Sequence, residues 1–214
     1  MGGSSAEAFE APLDVSGPEG PWDEVGDRLD DSGRAVVCTT WGRWLTALLL
    51  DPALRPLLGD DWPRYRQTPA AAERMRFAVA RAVVKYTAAA ALGGPVHTVD
   101  VGYRPDGQPV LRGAGGGVRL SLAHSDELIV VGVSRTGPIG VDARPADGEV
   151  SSELLRDDVR TAAYAAALGH GHGPEHGHGH AGEWSFASHL VQGRYLVGAA
   201  HLRSPVGTVA RGGG

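Results

Sequence analysis

The stretch that decides the fold runs from residue 120 to residue 145 and reads LSLAHSDELIVVGVSRTGPIGVDARP. Two apolar runs, 128–134 and 139–143, flank Arg135, Thr136, Gly137 and Pro138. The Gly-Pro pair marks a turn, so the runs are expected as antiparallel strands joined there. The preceding segment VRLSLAH (118–124) reads as a further strand. Polar groups gather at the strand ends: His124, Ser125, Asp126 and Glu127 before the first run, Asp142 and Arg144 at the close of the second. Residues two apart on a strand face the same side, so Asp142 and Arg144 are expected to be neighbours.

Working outward, RAVVCTTW (34–41) reads as a strand and WGRWLTALLL (41–50) as a helix that stops before DPALRPLLG. The longest helix is expected from Thr68, as N-cap, and Pro69, at the first helical position, to Gly93 beyond the last turn. Met75, Val79, Val83, Tyr86 and Ala90 recur at helical spacing and form its core stripe. Arg74, Arg81 and Lys85 fall on another face, either as a solvated side or as a line that meets an anion. The segment 97–113 has the pattern of a hairpin turning at Pro105, Asp106 and Gly107. The glycines that follow lead into a strand, whereas a phosphate-binding loop opens a helix. Farther on, SSELLRDDVRTAAYAAALG (151–169) is a second helix capped by Ser151 or Ser152. The segment from 183 to 205 has helical and then strand-like patterning. The order of elements predicts an α+β fold with two similar halves, 21–114 and 115–214, each a long helix over a small sheet, behind a disordered lead-in at 1–20.

Composition narrows the function classes. A single cysteine among 214 residues excludes an intrachain disulfide, and no apolar run approaches the length of about 20 residues that crosses a bilayer. The N-terminal residues lack the basic start and apolar run of a secretory leader, so a cytoplasmic protein is expected. Net charge is −5 with the basic residues scattered, which argues against a nucleic-acid surface. Lys85 is the only lysine against many arginines, the mark of a GC-rich coding sequence. The His/Gly-rich segment at 169–183 contains His170, His172, His176, His178 and His180 without Cys or helical spacing, and reads as a low-complexity insert open to adventitious metal.

The order FAVARAVVK, DGQP, LSLAHS, PIGVDAR, EWSFASHLVQ resembles that of the Sfp-type 4′-phosphopantetheinyl transferases. The family's motifs there are F-x-x-x-R-x-x-x-R, G-K-P, S-x-S-H-S, G-(I/V)-D-(I/V)-E and W-x-x-K-E-(A/S)-x-x-K. The resemblance covers roughly residues 34–205. It implies a pseudo-twofold α+β monomer with coenzyme A between the halves. It also implies phosphate contacts from Arg81 and Lys85 on the helix of Phe77, cofactor contacts from His124 and Ser125, and a Mg²⁺ ligand in Asp142.

The departures fall on the transfer machinery. Gln108 stands for the Lys of G-K-P, Ala123 for a Ser, and Arg144 for the second metal carboxylate. In the last motif Trp184 is kept, while Ala187, Ser188 and Gln192 stand for Lys, the third metal Glu and the final Lys. Drift toward GC would have turned Lys into Arg, so these replacements point to loss of the transfer. A guanidinium in place of a carboxylate shifts the local charge by two units, each costing on the order of 4 kcal/mol at about 4 Å toward a cation. The expectation is therefore a repurposed member of the family in natural-product biosynthesis, needing no metal or cofactor. It would act on a polyketide- or peptide-like intermediate, free or carrier-bound, by cyclisation, dehydration or isomerisation, with His124 as proton shuttle and Asp142, held by Arg144, as orienter or base. The alternatives are a working transferase that uses coenzyme A and Mg²⁺, with Asp142 as metal ligand, and a non-catalytic carrier-protein binder.

Overall fold

The computed structural model describes residues 9–113, 117–146, 153–169 and 183–203. The expected caps Ser151 and Ser152 and the five histidines from His170 to His180 lie outside these.

Two mixed layers stack back to back. The first sheet runs in the order β1 (Leu13–Asp14), β2 (Arg34–Thr40), β6 (Leu128–Ser134), β5 (Arg119–Ser125), with β2, β6 and β5 antiparallel. Its outer face carries α1 (Trp22–Ser32) and the long α5 (Ala71–Leu92). Short helices α2 (Leu45–Leu49), α3 (Leu54–Leu58) and α4 (Trp62–Gln67) and the hairpin of β3 (Val101–Tyr103) and β4 (Pro109–Leu111) complete that side. The second sheet is antiparallel in the order β7 (Ile139–Pro145), β9 (Tyr195–Arg203), β8 (Glu183–Val191), with α6 (Glu153–Leu168) on its outer face.

Side-chain alternation explains the stacking. Along β6, Ile129, Val131 and Val133 belong to the core under α5, whereas Leu128 and Val130 join Val36, Cys38, Ile139, Val141, Ala143 and Val197 between the sheets. Every residue of β6 is buried, so its apolar run is continuous because both faces need cover. The turn 135–138 therefore does not close a hairpin between β6 and β7, which lie in different sheets. It carries the chain from one layer to the other. The Ser134 hydroxyl accepts the Thr136 and Gly137 N–H groups, and Leu202 N–H donates to the Pro138 carbonyl.

Other expectations change with the packing. Residues 9–20, expected as part of the disordered lead-in, include buried Phe9, Leu13 and Val15 and the strand β1, parallel to β2. Thr68 does not cap α5. It ends α4, with its hydroxyl on the Arg64 carbonyl, and α5 begins at Ala71 after Ala70. Gly93 does close α5, in the left-handed region at φ +65°. Segment 183–191 is strand throughout and not helical, because it completes the second sheet against β9. Strands β5 and β6, expected in the second half, pair within the first sheet, so the change of sheet falls at 135–138 and not near residue 115.

Two glycines let α6 lie directly on the second sheet. A Cβ at Gly140 would stand 1.9 Å from the Ala163 carbonyl oxygen, and one at Gly198 would stand 2.6 Å from that of Val159. Gly140→Ala is expected to lower stability by about 3 kcal/mol, because backbone must move to admit the methyl. Gly132→Ala, whose nearest neighbours are side-chain tips of Val141 and Ile139, is expected to cost less. Thermal or urea melts of the two variants check the order.

Candidate functional site

The motif residues of the second sheet share one face. Asp142, Gly198 and Ser188 are directly opposite one another across β7, β9 and β8, and they lie on the side of α6 because Gly198 meets Val159 there. Arg144 is two residues along β7, and its Nε donates to Asp142 Oδ2 at 2.9 Å. From α6, Arg156 Nη1 donates to Ser188 Oγ at 3.1 Å. The expected Asp142–Arg144 contact is formed, and a second guanidinium is added at the row's other end. The three places where the sequence resemblance implied carboxylates hold one carboxylate engaged by a guanidinium, an arginine, and a hydroxyl bound to another arginine. Arg144 offsets the single carboxylate of the row, which lowers its attraction for a divalent cation. Among the described residues no group of three or more His, Cys, Asp or Glu could hold a metal ion.

His124 is not part of this face. On β5 it lies opposite Ile129, whose side chain enters the core under α5, so His124 projects on the α5 side of the first sheet. Asp142 projects on the α6 side of the second. Stacked sheets lie about 10 Å apart, and the two side chains point away from each other across both. His124 and Asp142, expected to share the acid/base work, are therefore not brought together, for a reason of strand parity. His124 is exposed, and Ser125 is half-buried at the end of the same strand.

Carboxylates lie near Arg81 and Lys85 of the basic line on α5. Arg81 is buried, donates from Nε to Asp61 Oδ2 at 2.8 Å, and lies 3.3 Å from the Tyr103 ring centroid and 4.5 Å from that of Phe77. The guanidinium expected to contact phosphate is thus stacked and paired within the fold. Burial lowers the pKa of Lys85, while Asp100, Asp61 and Asp60 oppose the shift. The three carboxylates offset only part of the cost of burying this cation. Arg74 lies at the start of the helix with its guanidinium 5.8 Å from the Tyr65 ring.

Gln108 has a structural reason. Its Nε2 donates to the Leu122 carbonyl at 3.1 Å, and its Oε1 accepts the Leu122 N–H at 3.0 Å and the Ser121 hydroxyl at 3.3 Å. The side-chain amide thus acts as a short extra rung between the β3–β4 hairpin and β5. Lysine has no acceptor and could not replace it. Trp184 packs edge-on against Tyr164 with centroids 4.6 Å apart, so its place in the last motif is filled by an aromatic core contact between β8 and α6.

A buried polar cluster lies between the layers without a signal in the sequence. His201 is fully buried, with Nε2 at 3.0 Å from Ser134 Oγ and 3.1 Å from Thr136 Oγ1, and Nδ1 at 3.4 Å from Arg34 Nη1. These side chains come from β2, β6, the crossover and β9, and no local pattern could have joined them. Cys38, between the sheets, has its thiol pushed up to about 12 by burial, with Asp14 adding to the shift and Arg43 opposing it. At neutral pH it is closed to nucleophilic chemistry. Compared with models of known protein families and with curated proteins, the chain matches none.

His189 lies beside the row, on the inner face of β8. Burial lowers its pKa from 6.5, a hydrogen bond to the Phe9 backbone opposes this, and the Arg156 charge lowers it further. Its Nε2 is buried without a partner among the described residues. Folding thus weakens its hold on a proton. As pH falls past about 6.5, the unfolded chain binds the proton first and the folded state loses stability. Urea denaturation between pH 7.5 and 5 is expected to show this loss, with a shallower slope in His189→Asn.

Proposed function

We propose that this chain is a phosphopantetheinyl-transferase-like protein that binds a carrier-protein-bound, polyketide- or peptide-like intermediate and does not carry out metal-dependent transfer of the phosphopantetheine arm. The observation that carries the reading is the Arg144–Asp142 contact at 2.9 Å. In the family that position is a metal carboxylate. Here the guanidinium cancels the charge that would attract Mg²⁺ and presents a fork matched to phosphate oxygens. Arg156, along the same row, adds a second cation on that face. The arm joins its carrier through a phosphodiester, and carrier proteins are acidic, so an arginine-bearing face suits both. The parity that separates His124 from Asp142 favours binding over paired acid/base catalysis.

The test uses one acyl carrier protein in its apo form and with the arm attached. With coenzyme A and Mg²⁺ the apo carrier is expected to gain no mass over hours, whereas a gain equal to the arm would make the chain a transferase. In a titration the arm-bearing carrier is expected to bind more tightly than the apo form. Arg144→Glu is expected to weaken it by about tenfold, equivalent to roughly 1.4 kcal/mol. If neither carrier binds, the binding reading fails.

A further inference from the structure

A cleft separate from the Asp142 face opens where the two helix–sheet layers meet. Its walls come from β4, the start of β5, the start of β7 and the last turn of α6, with a volume of about 380 Å³. That is within the range of small-molecule sites, roughly 300–1,000 Å³. The cleft sits at the Arg119 end of β5, whereas His124 and Ser125 are at the other end, about 20 Å away at 3.3 Å per residue.

Its lining combines apolar and cationic side chains. Leu111, Leu120, Ile139 and Leu168 line the interior, and Val110 and Leu168 are among the large apolar side chains the protein leaves exposed. Arg104 and Arg119 stand in the lining, which among the described residues contains no carboxylate. Arg104 is held in place: its Nη2 lies 3.3 Å from Asp106 Oδ2, and its Nη1 would be 3.0 Å from a Cβ at Gly169. Gly169, at φ +73°, follows the last turn of α6, where the carbonyl end of the helix favours a cation. The glycine there both ends the helix and leaves room for the guanidinium.

We propose that this cleft is a binding site for a small amphiphilic acid, with an apolar chain or ring system between the hairpin and α6 and a carboxylate or phosphate at the arginines. Apolar burial supplies the affinity and the arginines supply the preference for an anion. The ligand contacts both layers, so occupancy also ties them together.

Decanoate below its micellar concentration is the probe, with decanol and decyltrimethylammonium as uncharged and cationic counterparts, read by calorimetry and by amide chemical shifts. The expected result is saturable decanoate binding at least about tenfold tighter than either counterpart, with shifts centred on Leu111, Ile139 and Ala166. Ala166→Phe, which fills the cleft, is expected to abolish binding. Arg119→Glu, which leaves the apolar walls intact, is expected to weaken decanoate about tenfold and leave decanol unchanged. No saturable binding, equal binding of decanol, shifts centred elsewhere, or decanoate affinity unchanged in both variants overturns the proposal. Carrier binding reads Arg144 and is not expected to respond to Ala166→Phe, so the two proposals fail separately.

Discussion

The burial of β6 on both faces is the constraint from which the rest of the molecule follows. A strand whose seven residues are all buried must have a layer on each side. One layer is supplied by α5 and α1, the other by the second sheet, and the crossover at 135–138 exists because the chain must leave the first sheet to build the second. Close approach is then set by glycine. Gly132 admits Val141 and Ile139 from the facing sheet, and Gly140 and Gly198 admit the backbone of α6. Ser121 completes the join by accepting the Val141 N–H from the other layer at 3.2 Å.

This stacking assigns the polar residues to faces before any chemistry is considered. Asp142, Arg144 and Ser188 share one face because they have the parity of Gly140 and Gly198, and Arg156 is delivered to Ser188 by the helix those glycines seat. His124 has the parity of Leu122 and goes to the opposite exterior. The result is one face with an arginine-rich polar row and, at the far end of the strands, a cleft with apolar walls and two arginines. Both features favour anions, yet different elements build them.

Side chains at the motif positions, one replaced and two kept, have structural reasons here. Gln108 ties the hairpin to β5 through a pair of hydrogen bonds that need both a donor and an acceptor. Arg81 holds Asp61 and stacks on Tyr103, which joins α5 to the segment before α4 and to the hairpin. Trp184 secures β8 to α6 through Tyr164. A side chain used in this way leaves less of itself for a ligand.

The sequence by itself determined the local elements whose signals are local: β2, the core stripe and glycine end of α5, the 97–113 hairpin, the strands around 120–145, and the adjacency of Asp142 and Arg144. Strand and helix periodicity are properties of neighbouring residues, so they can be read along the chain. Only the tertiary structure decided that β6 and β7 belong to different sheets, that 183–191 is an edge strand, and that His124 and Asp142 face apart. It alone joined Arg34, Ser134 and Thr136 to His201. A continuous apolar run such as β6 contains no alternation to say which face meets which layer. A buried side chain finds its partner by packing across the core, where separation along the chain has no bearing.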